Sequence, residues 1–230
     1  MSDKIENTRF ELRYHELQEY LSIHYPDAQL DTEHTLGGPF ELHFDLGGDL
    51  AAGSIERIHQ ASERALKLFV SCFPDKAHPI WFLNYGYSFS TTNLENQHFF
   101  ETLFEPGKAA QFYQAIHTVN TRYETIDEFG NECPETAETR ITIGLLPLQD
   151  IHFLDLLFAI LNADKGFQEG LDGRTYFIDP RTHVAFMINE DRTCVIWSKA
   201  ASDLHAIYKR FQNWIKPYHL AEAKHYFNLT

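Results

Sequence analysis

Four carboxylates and one guanidinium in this sequence have types and positions that could do chemistry: Asp45, Asp164, Glu190, Asp191 and Arg192. Three or four carboxylates brought together can hold Mg²⁺ or Mn²⁺. A guanidinium beside them would neutralise charge developing on a phosphoester. That set would make a metal-dependent phosphoester hydrolase. The same residues also have a plainer reading. Asn189-Glu190-Asp191-Arg192 separates the apolar runs HVAFMI and TCVIWS. A short polar connection containing Asn and Asp is what a β-hairpin needs. Charges held on a rigid hairpin tip also make directional hydrogen bonds to a partner. The insert therefore reads as a turn first and a recognition tip second.

Preformed motifs for other chemistries are missing. No two of the 13 histidines stand within four residues of each other, and neither HExxH nor CxxC occurs. A zinc site built from closely spaced ligands is thereby excluded. Gly48-Asp-Leu-Ala-Ala-Gly53-Ser54 has the outline of a phosphate loop but lacks its lysine, and reads as a turn and a helix cap. GxSxG and GxGxxG are absent. Cys72, Cys133 and Cys194 are odd in number and far apart, which argues against disulfides, and Cys72 and Cys194, in apolar surroundings, read as buried small hydrophobes. The expectation is no catalytic residue and no cofactor.

The charge balance suggests a partner. With 33 acidic and 19 basic residues the net charge is −14. Such a field repels nucleic acid and anionic membranes and speeds encounter with basic proteins. Five carboxylates gather in IDEFGNECPETAE, which reads as an exposed acidic loop: Asp127, Glu128, Glu132, Glu135 and Glu138. With Glu190, Asp191 and Arg192 these are the expected partner-binding residues. No signal peptide is legible at the charged start. No run reaches the roughly 18 apolar residues of a membrane helix, so the expected compartment is the cytoplasm. The leading expectation is a non-catalytic acidic binding protein, an immunity protein that neutralises a basic toxin, for example a nuclease, in bacterial competition. The alternatives are the carboxylate hydrolase and a housekeeping domain that self-associates through an open sheet edge at the last hairpin. Oligomeric state is left open.

Whatever these residues do, ordered elements must position them. TRFELRYHELQEYLSIH carries apolar residues mostly on one helical face, and Pro26 ends it. GGPFELHFDLGG alternates like a strand between glycines. Ser54 caps a long helix whose inner stripe is Ile58, Ala61, Ala65, Leu68 and Phe69. PIWFLNYGYSF is a second strand, with Trp81, Tyr85, Tyr87 and Phe89 read as core. Short helices follow over Asn96–Phe104 and Gly107–Ile116, then strands near 119–126 and 138–145. QDIHFLDLLFAILNADKGF is an apolar helix of about four turns. RTYFID, HVAFMI and TCVIWS supply the last strands, and LHAIYKRFQNWI and LAEAKHYF the last helices. The pattern predicts one α+β domain over 1–230: a mostly antiparallel sheet with helices packed on it, an N-terminal helix within 1–26 and a core over 37–228.

YFIDPRTHVAFMINEDRTCVIWS followed by LHAIYKRFQNWI resembles an uncharacterised bacterial family, domain of unknown function 3885. The family has a strand ending in a DDRG-like turn. A helix follows with an aromatic pattern matched here by Ile207, Tyr208, Phe211 and Trp214. Upstream, LHFDLGG resembles its RFELGG segment, RIHQASERALKLF its arginine-rich helix, and LLFAILNADKGF a helix ending in Asn and Asp-Phe. The resemblance covers residues 40–228 and implies no activity. Four positions depart from the pattern: Thr193 replaces glycine, Val195 an aspartate, His43 an arginine and Asp45 a glutamate.

Overall fold

A computed structural model describes residues 2–28, 30, 37–87, 99–126, 132–163, 170–171, 173–189 and 192–228. Its strands are β1 (Phe40–Asp45), β2 (Pro79–Tyr87), β3 (Tyr113–Ile126), β4 (Glu132–Pro147), β5 (Arg174–Ile178), β6 (Ala185–Asn189) and β7 (Thr193–Ser198). The longer helices are α1 (Ser2–His24), α2 (Ile55–Cys72), α3 (Phe153–Asn162), α4 (Ala201–Phe211) and α5 (Pro217–Asn228). The strands form a single sheet in the order β1-β7-β6-β5-β2-β4-β3, with every neighbouring pair antiparallel. The architecture is α+β, as the alternating patterns predict.

Side chains alternate across the sheet and build two cores. Phe44, Phe82, Phe177, Phe186 and Ile196 point to the face covered by α2, α3, α4 and α5. Their neighbours Leu83, Tyr85, Tyr176, Ala185 and Trp197 point to the opposite face, with Phe10, Leu17 and Leu21 of α1 and Tyr25 after it. Strands covered on both faces must be apolar at consecutive positions, which explains the unbroken runs in β5, β6 and β7. Each fully buried Phe or Leu contributes about 1.5–3 kcal/mol. Trp81 and Tyr85 are core, as read; the side chain of Tyr87 and all of Phe89 lie outside the described residues. The seam of α1 runs through Phe10, Leu17 and Leu21, while Leu12 and Ile23 are exposed.

Three local expectations are corrected. Gly107–Ile116 is not a helix: a single 3₁₀ turn at Ala109–Gln111 is followed by β3. Tyr113 and Ala115 pair with Ile143 and Ile141, and the pairing overrides the weak helix preference. The apolar helix near 149–167 begins only at Phe153, because His152 N–H donates to the Leu103 carbonyl and Ile151 bridges Phe104. The acidic stretch is not a loop from Glu132 onward: Glu132–Glu138 belong to β4, paired with β3 across an irregularity between Asn120 and Glu124. The sheet edges also differ from the expected open edge at the last hairpin. β7 is covered by β1, and the chain at Ile215–His219 runs along β1, where Lys216 N–H donates to the His43 carbonyl.

Candidate functional site

Two of the charged positions that the sequence singled out, Asp45 and Arg192, lie close along the chain pairing at the C-terminal end of β1. Asn189 pairs with Thr193, so β6 and β7 are consecutive antiparallel neighbours in the sheet. Thr193 in turn pairs with Asp45 of β1, and Leu46 N–H donates to the Arg192 carbonyl. Arg192 is exposed, while Glu190 and Asp191 lie outside the described residues. Thr193 is an ordinary strand residue: His183 is the one described non-glycine residue with a left-handed backbone. Replacing glycine by threonine therefore carries no strain here. Val195, where an aspartate was expected, packs in the core on the α1 side.

Hydrogen bonding shows what the polar residues of β1 and α2 do. The Asp45 carboxylate accepts from Gly48 N–H at 3.0 Å. Three side chains on one face of α2 hold the loop that follows β1. Arg57 Nη1 donates to the carbonyls of Gly48 and Leu50, Gln60 Nε2 to Gly47, and Arg64 Nη1 to Asp45. The Arg64 guanidinium also lies over the Trp214 ring, 5.3 Å from its centre. Ser54 caps α2 by accepting from Arg57 N–H. Gly48 and Gly53 take left-handed backbone here, so the phosphate-loop outline is a turn and a cap, as read. Of the four carboxylates considered for a metal, Asp45 already serves this turn; Asp164, Glu190 and Asp191 lie outside the described residues. Arg57 and Arg64 hold backbone carbonyls, so the polar contacts here are architectural.

Of the acidic partner-binding set, Asp127 and Glu128 lie outside the described residues, and Glu132, Glu135 and Glu138 follow one another along β4. β2 pairs with β4 only from Thr139 to Pro147. From Glu132 to Glu138, β4 has β3 as its one strand partner among the described residues, so this part is a two-stranded ribbon extending past β2.

A third group draws its members from both ends of the fold. Glu41, His43 and His219 each offer a ligand atom within 4.8 Å of the others. Glu41 and His43 sit two apart on β1, whereas His219 arrives from the first turn of α5. The nearby His43 imidazole holds the Glu41 carboxyl below the usual carboxylate range, against burial that pushes the other way, and Trp197 Nε1–H adds to the lowering. The one legible signal was Glu-x-His on a strand, which puts both side chains on one face.

A cavity of about 790 Å³ lies between α2, residues 99–103 and α3, lined by Ile58, His59, Leu103, Phe158 and Asn162 among others. On the other face, His24 of α1 stacks on His183 at 4.0 Å between ring centres. Tyr20 Oη lies 3.0 Å from His183 Nδ1, and Lys199 Nζ lies 3.2 Å from His24 Nδ1. These contacts clasp α1 to the turn between β5 and β6. Asp179 anchors that turn, its buried carboxylate accepting from the backbone N–H groups of Arg181 and Thr182.

The described charged motifs are thus spent on a loop lock and a hairpin, in the order along the chain that the resemblance required. A family model matches residues 17–219, from the middle of α1 to the first turn of α5. The chain belongs to the family described as domain of unknown function (DUF3885). No curated protein and no solved structure matches it. In DUF3885 terms, the RFELGG-like segment and the arginine-rich helix are the two halves of the lock built by Asp45, Arg57, Gln60 and Arg64. No described helix is long and apolar enough to cross a membrane.

Proposed function

We propose that this DUF3885 chain is a non-catalytic, cytoplasmic binding protein that captures a basic protein, in the manner of an immunity protein neutralising a toxin. The observation that supports it is the acidic β3–β4 ribbon. Glu132, Glu135 and Glu138 lie on a stretch of β4 whose one strand partner among the described residues is β3. The net charge of −14 supplies a long-range field of the right sign. The Glu190-Asp191-Arg192 turn is a second contact point in this reading. The strands on either side of it in sequence, β6 and β7, lie between β5 and β1 in the sheet. Asp127 and Glu128 belong to the same acidic stretch of the sequence.

A tagged copy recovered from its native cell at low and moderate salt tests this. The reading expects one stoichiometric basic partner, released as salt rises, and toxicity of that partner when expressed alone. Replacing Glu132, Glu135 and Glu138 together by lysine should slow association at least about 10-fold at low salt. A partner whose Kd is the same at low and high salt would refute electrostatic capture. Recovery of the bait alone would refute the binding-protein reading.

A further inference from the structure

A second site lies at the β1 edge of the sheet, on the same face as α1 and away from the ribbon in strand order. Glu41 and His43 project from one face of β1, and α5 folds back so that His219, 3% exposed, meets them. The hydrogen bonds around the trio determine which atoms remain to bind a ligand. Trp197 Nε1 donates to Glu41 Oε2 at 2.9 Å, leaving Oε1. His219 Nε2 lies 2.7 Å from the Glu41 carbonyl, so that nitrogen carries the proton. In the neutral ring Nδ1 is then a lone pair, and it faces Glu222 Oε2 at 3.3 Å. His43 Nδ1 meets Tyr218 Oη at 3.1 Å. Its other nitrogen, Nε2, stands 3.0 Å from Glu41 Oε1 without hydrogen-bond geometry and is sealed from solvent.

Two ring nitrogens therefore confront two carboxylates across gaps that neutral imidazoles leave repulsive on the His219 side. A divalent cation resolves this arrangement. We infer that Glu41, His43 and His219 form a binding site for a divalent transition-metal ion of the zinc class, with Glu222, whose other carboxylate oxygen accepts from Tyr226 Oη, as a fourth oxygen donor. Two imidazoles with carboxylates suit Zn²⁺ and its neighbours and disfavour Ca²⁺ and Mg²⁺, which prefer an all-oxygen shell. An outer layer that orients each ligand is already present: Tyr218 on His43, the Glu41 carbonyl on His219 and Trp197 on Glu41. A four-ligand closed site is structural rather than catalytic. It would clamp the N-terminal edge strand to the C-terminal helix. His43, one of the departures from the family pattern, is the residue that turns an edge contact into a metal site.

The test uses the full chain, stripped with a chelator and titrated with Zn²⁺ in competition with a chromophoric chelator. One Zn²⁺ per chain is expected, with a rise in Tm and, on Co²⁺ substitution, the visible bands of a tetrahedral centre. Glu41→Gln and His43→Gln should each weaken uptake about 10–100-fold. His225→Ala, an exposed residue of the same helix, should change nothing. His219→Gln keeps a donor for the Glu41 carbonyl, and its Tm in chelator shows whether a loss of zinc is a loss of fold. Wild-type protein that takes up no Zn²⁺, or uptake that is equal in wild type, Glu41→Gln and His43→Gln, overturns the site. No partner enters these measurements, so their failure leaves the capture of a basic protein untouched.

Discussion

Arg64→Met is the sharpest test of the idea that the arginine-rich helix is architecture. Met keeps the helix preference and much of the aliphatic stem, so the perturbation is confined to the guanidinium. Two interactions are lost. The charged donor to the Asp45 carbonyl, 2.8 Å in length, contributes about 1.5–3 kcal/mol. The guanidinium over Trp214, at 5.3 Å, adds about 0.5–1 kcal/mol at a half-exposed position. The carbonyl left behind can find water, which discounts the first figure toward its lower end. The expected loss is about 2–3 kcal/mol, or roughly 4–10 °C in Tm for a chain of this size. Urea denaturation followed by circular dichroism measures it, with the slope of the transition unchanged. Arg64→Lys should recover less than half, because an ammonium cannot reach the carbonyl and cover the indole together. A loss below about 0.5 kcal/mol, the range of ordinary surface substitutions, would refute the argument.

Three other expectations can be checked alongside it. Gly173 has φ +86° and its added Cβ would run into the Tyr85 carbonyl, so Gly173→Ala should cost more than about 3 kcal/mol or abolish folding, read as soluble yield and Tm. The folded state holds His24 below its usual value of 6.5, through burial first and then the positive charges of His183 and Lys199. The unfolded chain therefore takes up the proton more readily, and stability falls as pH drops through that value; His24→Phe should flatten this limb in Tm measured against pH. Burial pushes the thiols of Cys72 and Cys194 far above their ordinary range, so iodoacetamide at pH 8 should leave both unmodified in native protein and alkylate both in denaturant, as read by peptide mass.

The parts of the fold that follow local rules could be read in advance. Ser54 caps α2, and the stripe Ile58, Ala61, Ala65, Leu68 and Phe69 is buried without exception. The β6–β7 hairpin lies where two β-rich runs flank a polar insert. Elements defined by distant partners could not be read that way. Tyr113 becomes a strand residue because Ile143 is its neighbour, and Glu132 to Glu138 become strand because β3 is available to pair with them. An acidic stretch with a glycine and a proline gives no local hint of that. Likewise the backbone carbonyls held by Arg57 and Arg64 are set by the path of the loop after β1, which their spacing along α2 does not reveal. The Glu41, His43 and His219 trio spans most of the chain, and no spacing rule reaches that far.

The pairing of β1 with β7 joins segments about 150 residues apart. During synthesis, residues 40–45 therefore wait until nearly the whole chain has left the ribosome before they find their strand. The loop lock on α2 can close early, since Arg57, Gln60 and Arg64 follow the loop directly. Its strand, however, remains an unprotected edge with Phe40, Leu42 and Phe44 available to any other extended chain. The wait ends only when β7 arrives on one side and Ile215–His219 on the other. Completion of this fold is thus a late event of high sequence separation, slow by nature, and the interval before it is when the nascent protein is most prone to aggregate.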